Sequence, residues 1–150
     1  MRVVVQRVSE ANVEVDGASV ASIGAGICIF AAFRSGDSDA DLDWMARKCL
    51  ELRIFTDAEG KMNRSVLETE GAVLVVSQFT LYGDCRRGRR PDFFASAPAA
   101  AALALYRRFL DIMHGYYPKI AEGVFGARMR VHLANDGPVT LIIDREGEIE

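Results

Sequence analysis

The sequence predicts an α/β fold, a single-domain three-layer sandwich with mixed β-sheets and two main helices across residues 1–150. Three observations lead there. Two short runs, 27–33 and 72–76, are apolar throughout, the pattern of strands buried on both faces. Two segments, beginning at Ser38 and Pro98, repeat apolar residues at helical spacing. The C-terminal part alternates apolar and polar residues, as a half-buried strand does.

Taken in order, residues 2–8 and 11–16 read as two strands separated by a turn near Ser9-Glu10, and Asp16-Gly17 marks another turn. Gly24 and Gly26 bracket the start of the buried strand Ile27 to Phe33. Ser38 with Asp41 three residues on is a capping signature, and Asp39, Asp41 and Asp43 suit the positive end of a helix dipole. Leu42, Met45, Ala46, Cys49 and Leu50 then form one apolar face. Leu52 to Phe55 predicts a short strand and Asp57 to Gly60 a loop. Ala72 to Val76 is the second buried strand and runs directly into Ser77-Gln78-Phe79-Thr80, placing polar groups at a strand end. Tyr82 to Asp92 is a loop rich in arginine and glycine. Pro98 opens the second helix, with Leu103, Tyr106, Leu110 and Met113 on one face and Gly115 after it. Met129, Val131 and Leu133 then point one way and Arg128, Arg130 and His132 the other. Val139 to Ile143 is a further strand, and the acidic end from Asp144 is expected to be solvated.

Composition narrows the function classes. Half the residues are hydrophobic and 26% are charged, ordinary for one globular core. The N-terminal residues are too interrupted for a signal peptide, and no apolar run reaches the roughly 18 residues of a membrane span. A soluble, cytoplasmic protein is expected, with no membrane partner. Three widely spaced cysteines, Cys28, Cys49 and Cys85, fit a reducing compartment better than a disulfide framework. A net charge of −3 leaves any RNA contact to a local basic patch.

Several chemistries fail on spacing. Counted from Asp37, a calcium loop would need glycine at Leu42 and glutamate at Lys48. Gly60-Lys61 lacks the rest of a phosphate loop, and Gly24-Ala25-Gly26 lacks the third glycine of a dinucleotide fingerprint. With two histidines, His114 and His132, and no cysteine pair at zinc spacing, neither a metal nor a cofactor is expected. His132 reads as a surface strand residue and His114 as a helix-end cation, so a hydrolytic reaction here would not use the usual imidazole base.

Two segments remain. Asn135-Asp136-Gly137-Pro138 reads locally as a tight turn, complicated by a proline that cannot donate to a ladder. From these residues alone a trans bond is favoured, since X-Pro bonds in folded proteins are cis in only about 5–6% of cases. Ser77-Gln78-Phe79-Thr80 is either a strand end whose hydroxyls satisfy nearby backbone or a site whose free N–H groups stabilise an oxyanion. Thr80 has no evident activating base.

These segments sit in a chain that resembles the D-aminoacyl-tRNA deacylase family nearly end to end. The match is carried by Met1 to Val4 with Gln6-Arg7-Val8, Leu52 to Phe55, Gly60 to Asn63, Ser77 to Tyr82, Gly88 with Arg90-Pro91, Phe125-Gly126-Ala127 with Met129, and Asn135 to Thr140. It departs at Ala32, Glu122, Gly83 and Asp92, where the family tends to have glycine, threonine, alanine and serine; none lies in the two site segments.

The resemblance implies hydrolysis of the ester between a D-amino acid, and in part glycine, and the terminal adenosine of tRNA. It implies a homodimer in which a cis Gly137-Pro138 bond reaches the partner's pocket and rejects L side chains by shape. It assigns Ser77, Gln78, Phe79 and Thr80 to catalysis, with N–H groups near Phe79 and Thr80 as oxyanion donors and the adenosine 2′-hydroxyl assisting water. Thr80 as nucleophile is the other reading the family allows. Phe125, Gly126 and Met129 would wall the adenosine pocket. Arg86, Arg87, Arg89 and Arg90 form the one dense basic run, a solvated face or a tRNA phosphate contact. Three rivals stand beside this reading. They are a deacylase for glycine or small L-amino acids with a trans Gly-Pro bond, a non-enzymatic nucleic-acid-binding protein, and a detached synthetase editing domain.

Overall fold

A computed structural model of the chain describes residues 1–146. The long strand β1 (Arg2–Val15) organises it. One edge of β1 pairs with β3 (Gly26–Ala32) through Arg2–Val8 and with β2 (Ala18–Ile23) through Ala11–Val15. The other edge pairs along the whole strand with β8 (Met129–Asp144). The expected turn at Ser9-Glu10 is instead an exposed bend inside one strand, where pairing with β8 changes register. Local composition suggested a break, but β8 pairs with β1 on both sides of the bend and keeps the strand continuous. The sheet continues from β3 to β6 (Ala72–Ser77) and β7 (Ile120–Glu122), both steps parallel, so it is mixed.

The bend carries the far half of β1, with β2 and the start of β8, across one face of β3 and β6, where β2 lies against β6 and β7. The other face is covered by α1 (Asp39–Glu51) and α2 (Ala99–Tyr116), which also pack on each other. The result is three layers with a core on each side of the central strands. Ile27, Ile29, Val73 and Val75 face Leu42, Met45, Phe109 and Met113 under the helices. Cys28, Leu74 and Val76 face Val8, Val13 and Ile23 in the folded-over layer. Burial on both faces explains the unbroken apolarity of these strands, and each such side chain contributes about 1.5–3 kcal/mol of transfer free energy.

Ser38 caps α1 as its spacing predicts. Its hydroxyl accepts from the Asp41 N–H and the Asp41 carboxylate accepts from the Ser38 N–H at 2.9 Å. Pro98 is the N-cap of α2 rather than its first residue, and Gly115 lies in the last turn. The strand expected over Leu52–Phe55 is shifted and short, β4 (Phe55–Thr56), paired with β5 (Met62–Arg64) in a separate two-stranded ribbon. No helix among the described residues is long and apolar enough to cross a membrane. Of the acidic end, Asp144 pairs with Arg2 at 2.6 Å, and residues 147–150 lie outside the described part.

Candidate active site

Parallel pairing brings the C-terminal ends of β3 and β6 to the same edge, where both strands stop and a cleft of about 690 Å³ opens. Ala31, Ala32 and Phe33 form its floor with Val76, and Ser77, Gln78 and Phe79 form one wall. The start of α2 closes a second side through Ala97, Pro98 and Ala102, held in place by the Ala97 N–H donating to the Phe33 carbonyl at 2.9 Å. Phe125, Gly126, Arg128 and Met129 complete it. Six of the residues singled out from sequence therefore meet in one apolar cleft with a few polar groups, the composition of a small-ligand site.

The strand end is built to leave donors free. Gln78 donates its N–H to the Ala31 carbonyl at 2.8 Å, which ties the end of β6 to β3. Phe79–Tyr82 then winds into one 3-10 turn whose first bond is Leu81 N–H to Gln78 O at 3.2 Å. Phe79 and Thr80, the first two residues of that turn, have no carbonyl within it for their N–H groups. Two adjacent main-chain donors so placed suit a developing oxyanion. The Thr80 hydroxyl accepts from the Gln78 side-chain amide, so Gln78 positions it. Thr80 itself is exposed and is not among the residues that line the cleft.

Among the described residues no titratable base lines this wall. His114 lies 3.9 Å from Glu122 and His132 lies 3.1 Å from Glu14, both pairs at the surface. Tyr106, whose ring packs on Phe125, donates its hydroxyl to the Val75 carbonyl at 3.1 Å, and burial pushes its pKa up. It is a structural phenol. Among the described residues no cluster of three or more His, Cys, Asp or Glu side chains could hold a metal ion.

Gly137 and Pro138 do not line this chain's cleft. They sit in a bulge of β8. Beyond the register change at Ser9, pairing with β1 holds at Asn135↔Val8 and resumes at Thr140↔Gln6, so residues 136–139 stand opposite Arg7 alone. Asn135 closes the neck, its side-chain amide donating to the Arg7 and Val139 carbonyls at 2.9 and 3.1 Å. Arg7 grips the bulge. Its Nε donates to the Asp136 carbonyl at 3.0 Å and its Nη1 to the Ile54 carbonyl at 2.6 Å. Gly137 has φ +111°, and a Cβ there would fall 2.0 Å from Arg7 Nη2. The backbone demands glycine, and any side chain here would also displace the guanidinium.

No described peptide bond is cis, Gly137–Pro138 included, which corrects the geometry expected from the family resemblance. Residues 136–138 of the bulge are exposed, and a trans bond is the ordinary preference of an X-Pro pair, by about 0.5–1 kcal/mol.

The arginine loop is pinned at its base by Asp84 and Asp92, which exchange both main-chain bonds at 2.7 and 2.9 Å. Arg86 is turned onto Asp84, which the guanidinium holds down to about 2 in pKa, whereas Arg87, Arg89 and Arg90 project into solvent. None of the four lines the cleft. Sequence reasoning missed Arg7, Phe93 and the start of α2. Phe93 packs edge-on against Phe79 at 5.2 Å, in the space left by Gly83, where an added Cβ would sit 3.0 Å from the ring. That glycine, noted only as a departure, was the available signal.

The sequence model of the family described as D-Tyr-tRNA(Tyr) deacylase matches residues 4–144. A protein of Acaryochloris marina named D-aminoacyl-tRNA deacylase is 49% identical over 150 residues, covering 100% of this chain and 99% of that protein. One of the same name from Desulfitobacterium hafniense is 53% identical over 146 residues, covering 97% and 98%. Among solved structures, one described as c-Myc DNA unwinding element binding protein superposes with TM-score 0.93 at 40% identity, covering 98% of this chain and 100% of that one. Another, described as a probable eukaryotic D-amino acid tRNA deacylase, superposes with TM-score 0.81 at 24% identity, covering 96% and 98%, and supports the fold.

Proposed function

The chain belongs to the D-Tyr-tRNA(Tyr) deacylase family, and we propose that it hydrolyses the ester linking a D-amino acid, and in part glycine, to the terminal adenosine of tRNA. The observation that carries this is the pair of N–H groups at Phe79 and Thr80, left without a carbonyl in their turn where it leaves the wall of a cleft that has no side-chain base among the described residues.

The chemistry follows from what the wall offers. The ester carbonyl lies against Phe79 and Thr80, water adds to its carbon, and the negative charge on the oxygen is taken by the two N–H groups. Deprotonation of that water is assisted by the neighbouring 2′-hydroxyl of the adenosine, since the cleft supplies no imidazole or carboxylate. The carbon–oxygen bond to the ribose then breaks, its oxygen takes up a proton, and a free amino acid and intact tRNA leave. Ser77 and Gln78 shape the wall, Phe125, Gly126 and Met129 hold the adenosine, and Arg87, Arg89 and Arg90 with Arg86 contact tRNA phosphates.

Selection of the D form requires a second copy of the chain. In the homodimer the Gly137–Pro138 bulge of one protomer enters the other's cleft, where its carbonyls take the substrate's α-amino group and occupy the space of an L side chain. Support comes from the apolar surface beside the bulge, where Ile142 is 70% exposed and Leu141 36%. Patches of that kind mark protein contacts.

The purified protein is assayed on D-tyrosyl-tRNA and L-tyrosyl-tRNA. Turnover of the D ester alone is expected; equal rates, or none on either, refute the proposal. The trans Gly137–Pro138 bond is the one observation favouring a second reading, a deacylase for glycine or small L-amino acids. That reading predicts faster turnover of L-alanyl-tRNA than of D-tyrosyl-tRNA.

A further inference from the structure

Phe94 is 95% exposed, an apolar ring almost wholly in water. Its backbone is held in place. The Phe94 N–H donates to the Asp92 carboxylate at 2.7 Å, and Asp92 is itself tied to Asp84 through both main-chain bonds. The chain thus turns sharply after the arginine loop and holds the ring outward. A shallow groove of about 410 Å³ runs along it, lined by Pro91, Asp92, Phe93 and Phe94. Phe93 also lines the main cleft, so the groove is its direct extension, and Phe79 supports Phe93 from behind. On the far side of Pro91 lie Arg89 and Arg90, both exposed.

An exposed ring on a stiff mount, a cleft for one nucleoside on one side and free cations on the other form the combination that receives single-stranded nucleic acid. Stacking on aromatic faces tolerates any base, and arginines take the backbone charge. We propose that Phe94 is a stacking platform for the nucleobase immediately preceding the terminal adenosine of tRNA, with Pro91 and Phe93 forming the floor of its groove. The assignment rests on the deacylase reading of the cleft and adds the subsite that grips the single-stranded 3′ end. Phe94 is a positioning residue; the reacting ester lies in the neighbouring cleft.

Two measurements on the full chain test it. Fluorescence anisotropy with an uncharged RNA hairpin ending in single-stranded CCA reads the platform without turnover. Phe94→Ala weakens binding by roughly 5- to 150-fold, the range of one base stack. Phe94→Trp restores it and Phe94→Leu does not. Kinetics then compare D-tyrosyl-tRNA with D-tyrosyl-adenosine, which lacks the preceding nucleotide. Phe94→Ala raises KM for the first and leaves the second unchanged. Wild-type RNA affinity kept by Phe94→Ala, full rescue by leucine, or equal losses on both substrates overturns the platform. Failure of wild-type protein to hydrolyse either ester, with binding still sensitive to Phe94, overturns the deacylase reading and leaves the stacking site standing.

Discussion

Gly137 and Arg7 make a quantitative test of how the β8 bulge is held. Gly137→Ala introduces two separable costs. The first is conformational, because φ +111° lies where L side chains are strained, at about 1–3 kcal/mol. The second is steric. The new Cβ would lie 2.0 Å from Arg7 Nη2, so the guanidinium must shift and give up one of its bonds to the Asp136 and Ile54 carbonyls. A hydrogen bond from a charged donor contributes about 1.5–3 kcal/mol, which brings the substitution to roughly 2.5–6 kcal/mol. In an Arg7→Ala background the guanidinium is already gone and only the conformational part remains. Urea unfolding of the wild type, both single variants and the double variant closes the cycle. The expected coupling is about 1.5–3 kcal/mol, with the double variant more stable than the sum of the singles. Additivity to within about 0.5 kcal/mol would mean that Arg7 and Gly137 act independently, and the account of the grip would be wrong. If Arg7→Ala proves too unstable to unfold reversibly, Arg7→Lys serves, since an ammonium cannot reach both carbonyls as the fork does.

Three other outcomes are expected. Thr80→Val keeps the Thr80 N–H and loses only the hydroxyl, so kcat on D-tyrosyl-tRNA falls by about tenfold or less; a collapse of 10⁴-fold or more would make Thr80 the nucleophile. The Asp41 carboxyl is disfavoured by burial, but the Ser38 N–H and hydroxyl and the Arg145 guanidinium outweigh this and hold its pKa below the ordinary 3.8. A group lowered in the folded state stabilises above its unfolded pKa and loses that contribution as pH falls through the folded one. Thermal melts should therefore show stability dropping below about pH 4, with a shallower drop in Asp41→Asn, and identical slopes in the two proteins would contradict the assignment. Of the three thiols only Cys85 is exposed, while burial pushes Cys28 and Cys49 up to about 12. A thiol reagent should modify one cysteine quickly in native protein and all three after unfolding, and fast reaction of a second native thiol counts against the packing described.

What the sequence revealed and what it hid follow from the range of the forces involved. The central strands were legible because Ile27–Ile29 and Val73–Val76 are apolar on both faces, and α1 because the Ser38/Asp41 reciprocity is complete within four residues. The cleft was legible as a polar segment following a buried strand. By contrast, Ser9-Glu10 and Asn135 to Pro138 both carry local turn chemistry, yet both lie inside strands, because their flanks pair with partners more than a hundred residues away. Arg7 carried no local signal of its role, since its acceptors are 47 and 129 positions distant. Phe93 gave no periodic signal at all, since its loop is shaped by the Asp84–Asp92 closure.

The bulge between Asn135 and Thr140 also governs how this protein tolerates changes in length. Side chains alternate across a strand with a period of two, and β8 continues past the bulge with Ile143 packed under the helices and Ile142 in water. Removing or adding a single residue among 136–139 slides everything downstream by one step, exchanging Ile142 with Ile143 and parting Asp144 from Arg2. Removing or adding two keeps the faces in phase. Indels at this site are therefore a matter of parity, and only even ones preserve the last third of the strand.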